Sequence, residues 1–343
     1  MSDSANIPYS NFNTKIYSQK EKIDAYKESM SVVFDTNTDH TNLKQFEAQI
    51  HSFLFNEIML VECTTFNQFF ERSRSKIARD TLDHILVQVF LSGDTTRTLD
   101  NNQFKCDQGS IIIIDTSRPW KAHNSSFKNI TLVIPKRLIR GKVPNEDILH
   151  GKILDTKTNP FASLLHSHII SLRDNAPKIT QDFAHSVVPP SVDIVCAAIS
   201  FSPDQPICSY SPDKNVVLIL RIKNFIESNL GNSNLTIPLI LVEFNLTKST
   251  LYRLFPTHTG GIMNYVTERR LIKAYRSLSM KYNNKTISQI AYESGFENES
   301  SFTRAFKRYF KYLPRDVQKS SHKSLKFNCN SPDRLWENWL RTL

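Results

Sequence analysis

The stretch from Lys285 to Val317, KTISQIAYESGFENESSFTRAFKRYFKYLPRDV, constrains this chain most. Thr286 can cap a short helix whose Ile287, Ile290 and Ala291 share one apolar face at helical spacing. Gly295 then offers a left-handed residue that stops a helix cheaply. Glu299, Ser300 and Ser301 open a second helix, with Phe302, Ala305, Phe306 and Phe310 as its apolar stripe. Its other face carries Ser300, Thr303, Arg304, Lys307, Arg308 and Lys311, and Pro314 ends the pattern. Helix, glycine turn and a helix with a basic outer face make a helix-turn-helix pattern, whose second helix enters the major groove of DNA. Two amphipathic helices around a glycine also occur as ordinary core, and a basic face also occurs as ordinary solvated surface.

The charge is placed unevenly. The net formal charge is +10, and residues 216–318 hold 15 Lys+Arg against 7 Asp+Glu. Residues 1–215 hold 23 against 24, and the tail from Lys319 holds 5 against 2. The basic surplus therefore falls on the segment with the pattern, as expected for phosphate binding that weakens as salt rises. The longest apolar runs, such as Val216 to Leu220 and Ile111 to Ile114, are far shorter than a membrane span. The start, MSDSANIPYSNFNTK, has no apolar signal core, so a cytoplasmic protein with no membrane partner is expected. The five cysteines form no C-x-x-C pair and fit reduced thiols.

In chain order, residues 1–45 are polar and are expected to form a mobile N-terminal arm, with a weak helix over Lys20 to Met30. From there to Ile134 about eight short strands follow, among them Ile58 to Cys63, His84 to Leu91, Ser110 to Ile114 and Asn129 to Ile134. Tight turns at Gly93-Asp94 and Asp107-Gln108-Gly109 suggest an antiparallel barrel or jelly roll. His84 and His123 stand alone with no H-x-H, so no metal and no cofactor is expected. A helix over Pro160 to Arg173 and a second over Ser191 to Ile199, broken or begun at Pro189-Pro190, trail the strands. The proline-containing linker is residues 201–215. Helices over Val217 to Leu230 and Asn264 to Lys281 then flank an earlier helix-turn-helix built from Pro238 to Phe244, an Asn245 turn, and Lys248 to Phe255. The tail ends SPDRLWENWLRTL, an amphipathic helix with Leu335, Trp336, Trp339, Leu340 and Leu343 on one face. It either docks on its own chain or serves as a partner or dimer contact.

Ile287, Ile290, Ala291, Gly295, Phe296, Ser300, Phe302, Arg304, Phe306, Lys307, Arg308, Phe310, Pro314 and Arg315 together closely resemble the signature of the AraC/XylS family of bacterial transcription regulators. Leu246, Ser249, Leu251, Arg253, Leu254 and Phe255 resemble the family's first half-motif, followed by Thr259-Gly260 and Tyr265. Arg74, Ile77, Ala78, Arg79, Asp80, Ser92-Gly93, Gly109, Asp115, Arg118-Pro119 and Pro135 to Leu138 resemble the cupin-like effector domain of one subgroup. Lys311 departs from the pattern where Gly is usual, so the chain is expected to leave that helix by another route, such as a frayed last turn. Asn245 departs likewise but tolerates a left-handed turn.

The resemblance implies an α+β multidomain chain. A cupin-like effector and dimerisation domain with trailing helices would span 46–200. An all-α DNA-binding domain would span 216–318, with helix-turn-helix motifs at about 238–255 and 287–310, and a tail would span 319–343. It implies base-facing Ser249, Tyr252 and Arg253 in the first half and Glu299, Ser300 and Arg304 in the second. Lys248, Thr303, Lys307 and Arg308 would meet phosphates. Arginine suits guanine because its planar fork can pair two acceptors at once. The implied partners are double-stranded DNA, RNA polymerase, a small-molecule effector at an unknown site, and a second copy of the chain. Two other readings stand beside this one: an enzyme in the β-domain with accessory DNA binding, and an architectural DNA-binding protein without effector. No nucleophile triad, metal cluster or phosphate loop supports the enzyme.

Overall fold

The computed structural model describes residues 6–19, 21–38, 46–80, 82–93, 95–99, 102–106, 108–143, 149–201, 214–255, 261–279, 285–320 and 332–343. The chain divides into two compact units, Met1–Tyr210 with Phe327–Leu343, and Ser211–Lys326. Residues 202–213, most of the expected linker, and the Thr259-Gly260 pair lie outside the described residues.

The first unit opens with β1 (Tyr9–Asn13), α1 (Lys22–Met30) and β2 (Asp35–Thr38). Strands β3 (Ala48–Phe55), β4 (Ile58–Thr65) and β5 (Gln68–Arg72), helix α2 (Arg74–Asp80), and strands β6 (His84–Ser92), β7 (Thr95–Leu99) and β8 (Asn102–Cys106) follow. Next come β9 (Ile111–Asp115), β10 (Trp120–Asn124), β11 (Phe127–Pro135), α3 (Lys136–Ile139) and β12 (Ile153–Leu154). Helices α4 (Pro160–Asn175) and α5 (Gln181–Ser200) complete this part. The strands form a seven-stranded sheet, β1-β3-β4-β11-β6-β9-β12, and a five-stranded sheet, β2-β5-β10-β7-β8, with every pairing antiparallel.

Pleating places alternate residues on opposite faces, and the large sheet is covered on both. Leu86, Phe90, Ile112 and Ile114 face the smaller sheet, where they meet Phe70 and Trp120. Ile85, Val87, Val89, Ile111 and Ile113 face the other way, onto α4 and α5. This double cover explains why β6 and β9 read as apolar runs rather than strict alternation.

The described parts of the expected mobile arm, residues 6–19 and 21–38, belong to this fold. β1 pairs with β3 from Tyr9↔Phe53 to Asn13↔Gln49, and β2 pairs with β5. Phe12 and Tyr26 are fully buried. A polar composition concealed a few anchoring aromatics, and composition averages cannot register single anchors. Pro189-Pro190 does not break the second trailing helix either; α5 runs through both prolines. The apolar face of Val192, Val195, Ala198 and Ile199 docks on the sheet and holds the helical course where two backbone donors are missing. By length and composition alone the 20-residue α5 could cross a membrane, but its apolar face is part of the core of this unit. Leu165 and Ile169 of α4 are fully buried against the chain's own sheet, so that face is core rather than an open dimer surface.

Two buried charges lock the loops. Arg72, fully buried, donates to both carboxylate oxygens of Asp80 at 2.7 and 2.8 Å and to the carbonyls of Val33 and Thr116. Asp115 is equally buried and accepts from Lys136 Nζ at 2.7 Å and from the backbone and hydroxyl of Ser117. Burial alone would raise the Asp115 pKa; the Lys136 ammonium and the Ser117 hydrogen bonds outweigh it and bring it to about 2.

The second unit is helical. It comprises α6 (Lys214–Ser228), α7 (Ile237–Phe244), α8 (Lys248–Leu254), α9 (Gly261–Ser279), α10 (Ile287–Glu293), α11 (Glu299–Phe310) and α12 (Pro314–Ser320). Ile262 and Val266 of α9 join Ile222, Ile240 and Leu251 in one core. Farther along α9, Tyr275 stacks on Phe306 at 6.0 Å and meets Phe310 at 4.7 Å. α9 therefore carries both helix-turn-helix pairs, α7–α8 and α10–α11.

Among the described residues of this unit, Asn245, Gly261, Gly295 and Lys311 are left-handed. Asn245 has φ 49° and Gly295 φ 84°. Lys311 itself takes φ 71° at the end of α11, so the chain leaves by the ordinary left-handed exit and not by a frayed turn. The side chain tolerates this at a cost of about 1–2 kcal/mol relative to glycine.

Three stability outcomes follow from this packing. Lys136→Met should lower the stability of the first unit by about 3 kcal/mol at neutral pH, because it strands a buried carboxylate. In the native chain Asp115 titrates below its unfolded value of 3.8, so its contribution is full above that pH and is lost as pH falls toward about 2. Urea titrations across that range should show the loss in the native chain and a flatter profile in the variant. Lys311→Gly should stabilise the second unit by about 1 kcal/mol in thermal melting. Gly295→Ala should destabilise it by about 2 kcal/mol or more, since a Cβ there would lie 2.2 Å from the Leu230 carbonyl oxygen.

Candidate nucleic-acid interface

The second recognition helix, α11, is held in one orientation by its apolar side. Phe302 and Phe306 are fully buried and Phe310 nearly so. Phe296, in the preceding turn, meets Phe302 edge-on at 5.2 Å. Tyr309 OH donates to Glu268 of α9. The helix starts where Asn298 Oδ1 accepts from Ser301 N at 2.8 Å, a cap that the run of Glu299, Ser300 and Ser301 partly concealed. The preceding helix, α10, begins with a capping box: Thr286 N donates to Gln289 Oε1 at 2.8 Å, and Gln289 N to Thr286 Oγ1 at 3.2 Å.

With that side fixed, the opposite side is set. Glu299, Ser300, Arg304, Lys307 and Arg308 are exposed, and Thr303 is half-buried at the flank. Among the described residues, none of Arg304, Lys307 and Arg308 forms an ion pair. Glu299 is the acidic group of the first turn, where the helix dipole favours it.

The first recognition helix is shorter. Thr247 caps α8 by accepting from Thr250 N at 3.3 Å, and its hydroxyl also meets those of Ser249 and Thr250 at 3.0 and 2.9 Å. Leu251 and Leu254 are buried, so Lys248, Ser249, Tyr252 and Arg253 point outward. The Lys248 ammonium lies 5.8 Å from the Tyr252 ring centroid. All ten positions named from the sequence therefore fall on two recognition helices of one unit, nine of them exposed. Ser249 is partly engaged in the cap.

Sequence reasoning missed the supports. Arg270 on α9 is buried, donating to the carbonyls of Leu230 and Asn232 at 3.1 and 2.6 Å. Its guanidinium also crowds Gly295. Arg269 pairs with Glu227 of α6 at 2.5 Å. A basic residue in a basic segment reads as a phosphate contact, and only its position reveals the structural role.

In the β-unit a cavity of about 70 Å³ lies between the sheets. Met59, Phe70, Leu86 and Trp120 give it apolar walls, while Arg97, Gln88 and Asn129 are polar members. Arg97 donates to Gln88 Oε1 at 2.8 Å and lies 4.9 Å from the Trp120 ring centroid. The Trp120 indole nitrogen and Asn129 Oδ1 are buried without a hydrogen-bond partner. His84 and His123 sit apart, one bonded to the Leu340 carbonyl at 2.8 Å, the other stacked on Phe69 at 4.2 Å. Among the described residues no group of three His, Cys, Asp or Glu could hold a metal. The Cys63 thiol is buried and pushed up to about 12 by that burial, which makes it unreactive; Cys208 and Cys329 lie outside the described residues.

A family model described as a helix-turn-helix domain matches residues 241–320, and one described as an AraC-binding-like domain matches residues 30–193. The transcriptional activator NphR of Rhodococcus sp is 21% identical over 246 residues, which is 71% of this chain and 72% of that protein. The transcriptional activator RhaS of Mannheimia succiniciproducens is 40% identical over 77 residues, 22% of this chain. That match spans 28% of the relative's own length. The crystal structure of the AraC-like transcriptional activator CuxR superposes with a TM-score of 0.53 at 21% identity, covering 78% of this chain and 95% of that one. At that identity the superposition shows a shared fold. The chain belongs to the AraC/XylS family of DNA-binding transcriptional regulators.

Proposed function

We propose that this regulator reads a specific DNA sequence through α8 and α11 and answers to a small molecule held in the β-unit cavity. The observation that carries the DNA reading is the pairing of a locked aromatic face on α11 with an opposite face of cations that form no ion pair among the described residues. Ser249, Tyr252, Arg253, Glu299, Ser300 and Arg304 read base edges, and Lys248, Thr303, Lys307 and Arg308 meet phosphates. Glu299 accepts from a cytosine amino group. The protein acts in the cytosol on nucleoid DNA, with RNA polymerase as its downstream partner. A second copy of the chain, if one is bound, uses a surface other than the buried face of α4 and α5.

The effector reading rests on the cavity. Apolar walls, a buried guanidinium and an unpartnered indole N–H suit a small molecule with an apolar body and an anionic or carbonyl end. The family and fold point to regulation rather than to catalysis, and the β-unit serves as a sensor rather than an enzyme.

The DNA reading is tested on the recognition helix. Arg304→Ala should weaken binding to the operator by about 1–3 kcal/mol and relax preference at one base pair. Lys307→Ala should weaken binding to all sequences alike and make the salt dependence shallower by about one unit of slope. Fluorescence anisotropy on operator and random duplexes at several salt concentrations measures both. Equal losses on the two duplexes for both variants would remove the division into base and phosphate roles.

A further inference from the structure

After the helical unit, the chain returns to the β-unit. Pro332–Arg334 form one 3-10 turn and α13 (Leu335–Thr342) follows, both within the β-unit. Trp336 and Leu340 are almost wholly buried, pack into the core between the two sheets, and line its cavity. The rim is fixed by polar contacts. The Arg334 guanidinium bridges Glu337 at 2.6 Å and Glu28 of α1 at 3.0 Å. Ser29 Oγ donates to Glu337 Oε1 at 2.8 Å, and Ser10 Oγ donates to the Asp333 carbonyl at 2.9 Å. His84 Nε2 meets the Leu340 carbonyl, and Arg137 donates to the carbonyl of Leu343 at 2.7 Å.

Several features make this a dock that can be undone. An eight-residue helix is too short to hold its own shape in water, so its order comes from the seat. The Trp336 indole nitrogen is buried with no hydrogen-bond partner, and so is His84 Nδ1. Buried indoles in settled cores usually find an acceptor, so the seat is imperfect. Glu337 brings a carboxylate into a nearly closed site, a desolvation that its polar partners only offset. The cavity left beside the docked helix, about 70 Å³, is roughly half the volume known to admit one benzene ring. A larger ligand needs the space that Trp336 and Leu340 occupy.

We propose that α13 is an intrachain cap that competes with the effector for the β-unit cavity, so that ligand entry releases the tail. This rests on the effector reading of the cavity. The DNA-binding unit lies in sequence between two segments of the β-unit, and so is tied to it at both ends while α13 is docked. Ligand entry leaves it tied at one. The ligand class is an apolar, aromatic or branched molecule with one anionic group, because the walls are aromatic and Arg97 supplies the cation.

The test uses anilinonaphthalene sulfonate, an apolar aromatic anion, as the probe. It is titrated by fluorescence into the full chain, a chain lacking residues 332–343, and the full-length variant Arg334→Ser. Deletion should tighten probe binding by about tenfold or more, because the docked cap lowers the fraction of open cavity. Arg334→Ser, which removes the bridges to Glu28 and to the buried Glu337 carboxylate but leaves Trp336 and Leu340 in place, should fall between. A synthetic peptide of residues 332–343 should displace the probe from the deleted chain. In the unaltered full chain, saturating probe should abolish hydrogen-exchange protection in α13 while leaving α4 protected. Equal probe affinity in all three chains, with α13 still protected at saturation, would overturn the cap while leaving the cavity reading intact. No binding to any chain would remove both. A deleted chain that loses its β circular dichroism would show α13 to be permanent core and would also overturn the cap.

Discussion

The helical unit depends on one close approach. Gly295 has no Cβ, and the place a Cβ would take is filled by the Leu230 carbonyl oxygen at 2.2 Å and the Arg270 guanidinium at 2.7 Å. Arg270 in turn donates to the carbonyls of Leu230 and Asn232, which end the turn after α6. One glycine and one buried cation therefore bring together the α6 exit, the middle of α9 and the turn of the second helix-turn-helix pair. The carbonyls after a helix end need donors, and Arg270 supplies two, one buried and one part-buried. With this junction closed, the Tyr275, Phe306 and Phe310 stack follows, and the outward face of α11 is fixed by what its inward face must bury.

The β-unit solves a different problem. Its large sheet must satisfy two apolar partners at once, the smaller sheet on one face and α4 with α5 on the other. Successive residues of β6 alternate between those partners, so Gln88 is conspicuous as the polar member facing the interior. Its Oε1 accepts from Arg97 and its Nε2 donates to Thr131 at 3.1 Å, which places a polar cluster inside an otherwise apolar space. A buried amide and guanidinium cost desolvation that an all-aliphatic core would avoid. Under the proposed effector reading, their place on a cavity wall gives that cost a use in ligand selection.

The sequence was most legible where local spacing and chemistry coincide. Helix, capping residue, turn residue and aromatic stripe all fall within 33 residues of the second helix-turn-helix, and each supports the others. Asn245 and Gly295 take the left-handed turns expected of them. Lys311 was harder, because residue type argued against a conformation that the exit geometry required. Legibility fell where long-range contacts decide. Phe12 and Tyr26 anchor a polar segment through partners distant in sequence, and Pro189-Pro190 stay helical because the sheet below supports them. The tail helix was visible as an amphipathic stretch, but its seat on Ser29, His84 and Arg137 joins residues more than 200 positions apart. Arg270 and Arg304 carry the same side chain in the same basic segment, and only burial separates the structural cation from the candidate reader of bases.

That separation extends to the whole chain. In the β-unit the prominent cations are consumed internally: Arg72 by Asp80, Lys136 by Asp115, and Lys128 with Arg173 by Glu62. Two donors converge on Glu62 and hold its carboxyl below the usual range, although burial opposes them. In the helical unit Arg269 and Arg270 are likewise absorbed by Glu227 and by backbone carbonyls, whereas the cations of α11 are left to solvent. A surface cation contributes little to folding, and an array without internal partners repels itself. It is stabilised when a polyanion replaces the missing counter-charges and releases condensed ions. The surplus of +8 over residues 216–318 is thus a modest cost to the isolated fold and a source of affinity once a phosphate backbone lies against it.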